Sequence, residues 1–257
     1  MSDALRAEWT KLRTLASTAW LPVAAVALTV AVSAGGAAAF HARTIPGSQD
    51  PTKLSLTGID LGQAVIAVLA VLAISEEYGS GMIRVSLSAV PRRLVLLSAK
   101  GANVAGLAFV AGLLAVVGCL VVGRLMLPAD GLSPAYGYAL VSISHGPTLR
   151  AALGSVIYLV FIALFSLGIA TAIRDTAVSI GAVLGLLYLP PILAQVVTDP
   201  LRRHLLQIAP MTAGLAIQAT TNLRSLPIAP WAGLGVLAAW AVASLLIGGL
   251  LLRLRDA

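Results

Sequence analysis

Charged side chains are scarce in this sequence. They make up 11% of its 257 residues, against 59% hydrophobic residues and a mean hydropathy of +0.96, whereas soluble globular proteins carry about 25% charged residues. This composition argues against a water-soluble fold. Because a helix of about 20 apolar residues crosses about 30 Å of hydrocarbon, the chain accommodates about five to seven spans. We therefore predict one integral membrane domain over residues 1–257.

Three other absences exclude classes of mechanism. Cys119 is the only cysteine, so no intrachain disulfide can form; its position among valine and leucine predicts a small buried hydrophobic side chain. No acidic residue or histidine lies in the middle of an apolar segment, which disfavours coupling to protons or sodium because the coupling ion needs such a ligand. The phosphate-binding string G-x-x-x-x-G-K-[ST] is also absent, so the chain is not expected to use ATP without a partner.

The charge that is present is mainly basic and flanks apolar segments. Lys and Arg number 17 against 10 acidic residues, which gives a net charge of +7. A nucleic-acid-binding protein clusters its basic residues on a soluble face, whereas enrichment beside apolar segments is typical of the cytoplasmic loops of membrane proteins. No nucleic-acid partner is therefore expected.

Six apolar segments are long enough to cross a bilayer. They lie at about 20–40, 58–74, 95–123, 149–173, 177–197 and 231–252. None shows the strict alternation of a barrel strand, and unpaired backbone groups cannot face lipid. We therefore predict an all-α, six-helix membrane bundle.

Basic residues at both ends of the chain place both termini in the cytoplasm. They are Arg6, Lys11, Arg13, Arg253 and Arg255. Two cytoplasmic termini require an even number of spans, which six satisfies. In this orientation ten Lys and Arg residues lie inside and seven outside, and the outer connections near 41–57, 124–148 and 198–230 are the longer ones. We predict a multi-pass protein of the plasma membrane.

The residues before the first span form an amphipathic pattern. Leu5, Trp9, Leu12 and Ala16 recur at helical spacing, which predicts an interfacial helix over 1–19 with its tryptophan at headgroup level. An ordinary solvated lead-in is one alternative. The basic start and the small-residue stretch "AVSAGGAAAF" also fit a cleavable signal peptide.

The connection at 75–94 gathers charge, glycine and proline between two apolar segments. Gly79 and Gly81 allow a sharp exit from the second span, Ser80 can cap a following helix, and Pro91 ends that helix. Its apolar face carries Met82, Val85 and Ala89. Its charged neighbours are Glu76, Glu77, Arg84, Arg92 and Arg93.

A short amphipathic helix of this kind fits a groove on a soluble partner. The alternative is a basic loop whose charges only hold the orientation of the neighbouring spans. The residue pattern by itself leaves both interpretations open.

Paired glutamates also raise the possibility of an intramembrane protease. Glu76-Glu77 resembles the glutamate pair of CAAX-type membrane proteases, which place an arginine four residues after the second glutamate, whereas here Arg84 follows seven residues later. The three histidines, His41, His145 and His204, fall at span ends or in outer loops, too far from the glutamates to share a metal. We expect no catalytic, cofactor or metal site in this chain.

Two further features lie near the fourth and fifth segments. Arg174-Asp175 forms a tight inner turn between them and either adds a second cytoplasmic contact or pairs locally. Pro190-Pro191 is predicted to bend the fifth helix, because each proline lacks a donor and crowds the preceding turn. Such a bend is either structural or marks a helix that rearranges during gating.

Four stretches together resemble the permease subunits of the type-2 ABC exporter family, in the form common in actinobacteria. They are Glu76 to Arg84 followed by Pro91-Arg92-Arg93, "AEWTKLRTLASTAW", "LGIATAIRDTAVSIGAVLGLLYLPPIL" and "WAGLGVLAAWAVASLLIGGLLLRLRDA". The resemblance covers nearly the whole chain through the order and spacing of common residues. It departs at Gly81-Met82, where many relatives have Thr-Ile or Thr-Leu.

The resemblance implies a six-helix permease subunit that pairs with a second permease copy, identical or related. It also implies two cytoplasmic ATPase subunits, which hold ATP and Mg²⁺ and dock on a coupling helix between the second and third spans. The cargo of such an exporter is a hydrophobic or amphiphilic compound, such as a drug, antibiotic or lipid-like molecule. A non-transporting membrane scaffold or an immunity protein is the alternative.

For residues 198–230 the resemblance implies a segment that dips partly into the membrane. Leu205, Ile208 and Thr212 would then line an exit. A helix that lies on the surface and closes the bundle is the interpretation favoured by the residue pattern.

Overall fold

The computed structural model describes residues 16–39, 49–79, 93–128, 141–142 and 145–254. Within these ranges all regular elements are helical, as predicted. Residues 1–15 of the predicted interfacial helix and the helix predicted within 80–92 lie outside them.

Nine α-helices occupy the described part of the chain. They are α1 Ala16–Ala39, α2 Pro51–Ser55, α3 Ile59–Gly79, α4 Arg93–Met126, α5 Gly146–Ile173, α6 Thr176–Val196, α7 Leu201–Ile208, α8 Pro210–Leu215 and α9 Pro230–Leu254. Six of them, α1, α3, α4, α5, α6 and α9, are long and apolar enough to cross a membrane. This confirms the predicted number and indicates a multi-pass membrane protein.

The helices on either side of the 80–92 connection are longer than predicted. Good helix formers such as Glu76 continue α3 beyond residue 74 as far as Gly79. The 34 residues of α4 span about 51 Å, so this helix either tilts or extends beyond about 30 Å of hydrocarbon.

Helix α5 forms the centre of the bundle. It packs against α3, α4, α6 and α9, and its Tyr158, Ile162 and Phe165 are almost completely buried. Close helix packing in lipid depends on small residues, because lipid tails solvate apolar side chains as well as another helix does. Gly168 of α5 and Gly248 of α9 supply such a contact, since a Cβ added at Gly248 would lie 2.6 Å from the Gly168 carbonyl oxygen.

The side chain of Cys119 joins three helices. It is fully buried, as predicted for a small apolar residue, and Ser33 of α1 donates a hydrogen bond to its Sγ over 3.1 Å. The Ser33 hydroxyl also accepts from the backbone N–H of Gly58, 3.0 Å away, just before α3. Short polar side chains of this kind stabilise helix association where water is absent.

Large apolar side chains cover the outer surface of the bundle. They include Val110, Leu114 and Val121 of α4 and Leu246, Ile247 and Leu250 of α9. Contiguous exposed apolar surface of this extent marks contact with a membrane or another protein, in agreement with the six apolar helices.

Residues 201–218 combine a surface helix with an inserted segment. Helix α7 has no buried residue, whereas α8 and the 3₁₀ turn Ala216–Gln218 are largely buried. Gly214 packs against Tyr158, and Ile217 fills the space beside Gly154, which lie about 18 Å and 12 Å along α5 from Gly146. The second half of this segment therefore dips into the bundle, whereas α7 stays at its surface.

Candidate functional site

The ends of α3 and α4 flank the predicted coupling segment. We name this end of the bundle, where α3 ends and α4 begins, the loop end. Glu76, Glu77 and Gly79 belong to the last turns of α3, and Arg93 is the first residue of α4. The other predicted docking residues lie outside the described residues: Gly81, Met82, Arg84, Val85, Pro91 and Arg92.

Arg93 attaches the start of α4 to the end of α9. Its Nη1 donates a hydrogen bond to the carbonyl oxygen of Leu252 over 2.7 Å and lies 3.5 Å from that of Arg253. The last four carbonyls of a helix lack partners within the helix and carry partial negative charge, so a guanidinium is favourable there. Arg93 thus has an internal role in addition to the predicted docking role.

Lys100 attaches α4 to α3 about two turns further into the bundle. Its side chain is only 3% exposed, and its Nζ donates to the carbonyl oxygen of Ala73 over 3.2 Å. A buried ammonium in a membrane protein is costly unless carbonyls or acidic groups receive its protons. Lys100 therefore fixes the spacing of the two helices that flank the coupling segment.

Arg174 attaches the turn between α5 and α6 to the end of α3. Its guanidinium carbon lies 5.4 Å from the centre of the Tyr78 ring, within the range of a cation–π interaction. The two-residue turn is tight, as predicted, because Arg174 adopts a left-handed conformation with φ 66°. Asp175 then caps α6 by accepting a hydrogen bond from the Val178 N–H over 2.8 Å.

Loss of the Tyr78 ring should weaken this contact measurably. Tyr78→Leu is expected to lower the free energy of unfolding by about 0.5–1 kcal/mol through the lost cation–π interaction. Tyr78→Phe keeps the ring face and should retain most of it. Thermal unfolding of both variants in detergent, each with Arg174 and with Arg174→Gln, gives the coupling energy. An equal effect of Tyr78→Leu in both backgrounds would contradict the interaction.

Two of these contacts lie at the two ends of the predicted coupling segment. Tyr78 lies at its start and Arg93 at its finish, and each contacts a different neighbouring helix end. Contacts of the helix ends that flank residues 80–92 therefore extend to α9 and to the turn between α5 and α6. The sequence predicts Arg93 as a docking residue and Arg174 as a possible second cytoplasmic contact, but it gives no sign of their contacts with Leu252 and Tyr78. The position of Lys100, an isolated lysine seven residues inside an apolar helix, is the one sequence feature that indicates a buried polar contact there.

Helix α6 continues through both prolines. Pro190 and Pro191 lie inside Thr176–Val196, about 21 Å along the helix from its first residue and hence far from the loop end. The predicted gating bend would therefore act at the opposite end of the bundle from the coupling segment.

Metal-binding geometry is absent from the described residues. Among them, no group of three His, Cys, Asp or Glu side chains can hold a metal ion. Glu76 lies at the loop end, whereas His145 precedes α5 at the opposite end.

No protein-family model matches the sequence, and a search of curated proteins finds no match to it.

Proposed function

We propose that this chain is the permease subunit of an ATP-driven ABC exporter that moves a hydrophobic or amphiphilic compound out of the cell. Two copies of a separate cytoplasmic ATPase bind ATP and Mg²⁺ and hydrolyse the ATP. A second permease copy, identical or related, completes the transport pathway. The chain itself is not an enzyme in this proposal. It lies in the plasma membrane with both termini in the cytoplasm.

The observation that carries the proposal is the attachment of the coupling segment at both of its ends. A docked ATPase moves the permease only if the docking element is fixed to the spans, because a flexible tether would absorb the displacement. Arg93 on Leu252, Lys100 on Ala73 and Arg174 on Tyr78 supply this attachment. A loop that serves only to hold orientation does not need such contacts.

ATP acts in this mechanism by favouring one of two arrangements of the bundle. Binding of ATP draws the two ATPase subunits together, and the coupling segments follow them. A ligand shifts such an equilibrium only by its difference in affinity for the two states, so the contacts at the loop end must differ between the inward-open and outward-open forms. The change of access then lies between the two permease copies.

An apolar groove between α1 and α4 fits the proposed cargo. Its volume is about 590 Å³, and alanine, valine, leucine, glycine and proline residues line it. Surfaces of this kind accept hydrophobic compounds with little discrimination between similar shapes. This favours a drug, antibiotic or lipid-like compound over a sugar or an ion.

The protease alternative is disfavoured by the distance along the bundle between its required groups. Glu76 lies in the last turns of α3, and His145 and His204 lie on the opposite side of the spans. A scaffold or immunity protein without transport remains the second candidate, and it predicts no effect on ATP hydrolysis.

Stimulation of an ATPase distinguishes the exporter from the scaffold. The tagged chain is purified from its own cells in mild detergent, and an ABC ATPase that co-purifies is expressed alone. We expect this ATPase to hydrolyse ATP several times faster when it is reconstituted with the chain in lipid vesicles than in empty vesicles. An unchanged rate, or the absence of any ABC ATPase from the purified sample, would overturn the proposal.

A further inference from the structure

A polar cavity of about 270 Å³ opens at the end of the bundle opposite the loop end. Its polar lining consists of Lys53, Thr57, Asp60, Thr212 and Gln218, and leucine, isoleucine and proline side chains from residues 206–228 form most of the remaining wall. The inserted segment that ends at Gln218 closes one side of it. The volume lies just below the range of about 300–1,000 Å³ for drug-sized ligands, so it fits a small polar group.

The carboxylate of Asp60 accepts no hydrogen bond from the residues that the structure describes, although the charge of Lys53 attracts it. The backbone carbonyl of Asp60 accepts hydrogen bonds from Gln63 Nε2 and from the Tyr188 hydroxyl. Among the described residues, however, no hydrogen bond or ion pair reaches its side-chain oxygens. The acid therefore contributes its charge to the cavity and not to the packing of α3.

Asp50 lies at the same end of the bundle, and its carboxylate, in contrast to that of Asp60, has a structural role. Its carboxylate caps α2 by accepting from the Lys53 N–H over 3.1 Å, and it also accepts from the Thr220 hydroxyl over 2.6 Å and the Thr221 N–H over 3.1 Å. These bonds tie α2 to residues 220–221. The Asp60 carboxylate makes no comparable hydrogen bonds with the residues that the structure describes.

Two unused donors face the same cavity. The Lys53 ammonium makes no hydrogen bond with the described residues, and it attracts the Asp60 carboxylate, which lines the cavity with it. Gln218 is 2% exposed, and its Nε2 is buried without a hydrogen-bond partner. A buried donor left unsatisfied costs about 1–3 kcal/mol, which is commonly offset by a bound water, ion or ligand.

From these groups we infer a binding site for a zwitterionic headgroup that carries a primary ammonium and a phosphate. Asp60 accepts hydrogen bonds from the ammonium, and Lys53 and Gln218 donate to the phosphate, each bond being charge-assisted. The hydroxyls of Thr57 and Thr212 supply further partners. The apolar wall receives the glycerol and the first methylene groups of an amphiphile. The inference stands without the proposed transport function, because it requires no ATPase.

Two sources supply the same chemistry. One is an aminophospholipid of the surrounding bilayer, and the other is a free phosphoethanolamine-type compound. They differ in whether acyl chains add to the affinity, since each buried methylene contributes about 0.8 kcal/mol. Binding measurements with and without acyl chains therefore separate them.

The test measures the affinity of the purified full chain in detergent for four probes. The probes are short-chain phosphatidylethanolamine, phosphatidylcholine and phosphatidylglycerol, and soluble glycerophosphoethanolamine. Ligand-dependent thermal stabilisation gives each dissociation constant. We expect the ethanolamine lipid to bind about tenfold more tightly than the other two lipids, because only it offers ammonium N–H donors to Asp60. If the soluble probe binds as tightly as the ethanolamine lipid, the natural ligand is the free phosphoethanolamine-type compound. If the soluble probe binds more weakly, the ligand is an aminophospholipid of the bilayer.

Variants locate the effect in the cavity. Asp60→Asn should abolish the preference for the ethanolamine headgroup, and Lys53→Gln should weaken binding of both the ethanolamine and glycerol lipids. Gln218→Met keeps the length of the side chain and should weaken all phosphate binding by a few fold, which provides a second readout if Asp60→Asn folds poorly. The matched controls are Asp199→Asn and Arg224→Gln, two exposed charges at the same end that do not line this cavity.

Two results would overturn the inference. The first is the absence of a preference for the ethanolamine headgroup in the native sequence. The second is a preference that survives in Asp60→Asn. The first result would mean that Asp60 receives no ammonium in this cavity, and the second would mean that the ethanolamine headgroup binds elsewhere on the chain.

Discussion

Replacing Arg84 and Arg92 together by glutamate is expected to abolish stimulation of the proposed partner ATPase. Both arginines lie in the predicted coupling segment, and like charges placed opposite each other at an interface cost several kcal/mol. With about 1.4 kcal/mol for each factor of ten, co-purification of the ATPase should fall by at least about tenfold. Yield and thermal stability of the variant should stay near those of the native chain. Arg93 is left unchanged because it also bonds to Leu252.

The matched control reverses two charges at the other end of the bundle. Arg202 and Arg203 are exposed on α7, so Arg202→Glu with Arg203→Glu makes the same change in net charge away from the loop end. This variant should stimulate the ATPase as the native chain does. An equal loss in both double variants would point to net charge and not to docking. Unchanged co-purification of the Arg84 and Arg92 variant would contradict the docking role.

Gly248→Leu is expected to disrupt the contact between α5 and α9. Even the Cβ would lie 2.6 Å from the carbonyl oxygen of Gly168 and 3.0 Å from the Cβ of Thr171, so the backbones must separate. Overpacking of this kind costs about 3 kcal/mol, and the polar contacts of Arg93 with α9 depend on the same spacing. We expect a large drop in the yield of monodisperse protein and in its melting temperature in detergent.

Gly235→Leu is the control on the same helix. A Cβ at Gly235 meets no atom within 4 Å, and an added leucine on this exposed position faces the surrounding lipid. Its effect on folding should be small. Equal damage by the two substitutions would mean that glycine matters for α9 itself and not for its packing on α5.

The spans were predictable because lipid imposes a length and a composition. The predicted segment at 149–173 lies within α5, which begins at Gly146, and the one at 177–197 almost coincides with α6. The predicted positions of the end of α3 and the start of α4 were less accurate. Glu76 and Arg93 read as loop residues by charge, but a charged side chain continues a helix readily when its polar end reaches the headgroup region or a helix terminus.

The contacts of the charged residues were not predictable from their sequence positions. Lys100 and Arg93 bond to carbonyls of residues 27 and 159 positions away, and backbone carbonyls leave no signature in a sequence. The same holds for Asp50 and Asp60. Both acids lie near the start of an apolar segment, yet one is saturated with hydrogen bonds from residues 220–221 and the other faces a cavity.

The sequence by itself determined that the chain crosses a membrane with six helices, and roughly where each begins and ends. These features follow from backbone hydrogen bonding, which lipid forces every span to satisfy internally. Only the tertiary structure decided which helices are neighbours, that residues 210–218 insert into the bundle, and which contacts the charges at the ends of α3 and α4 make. In lipid, apolar side chains carry no preference for one another over acyl chains. Close contacts at Gly168 and Gly248 and a few long-range polar bonds therefore select the arrangement.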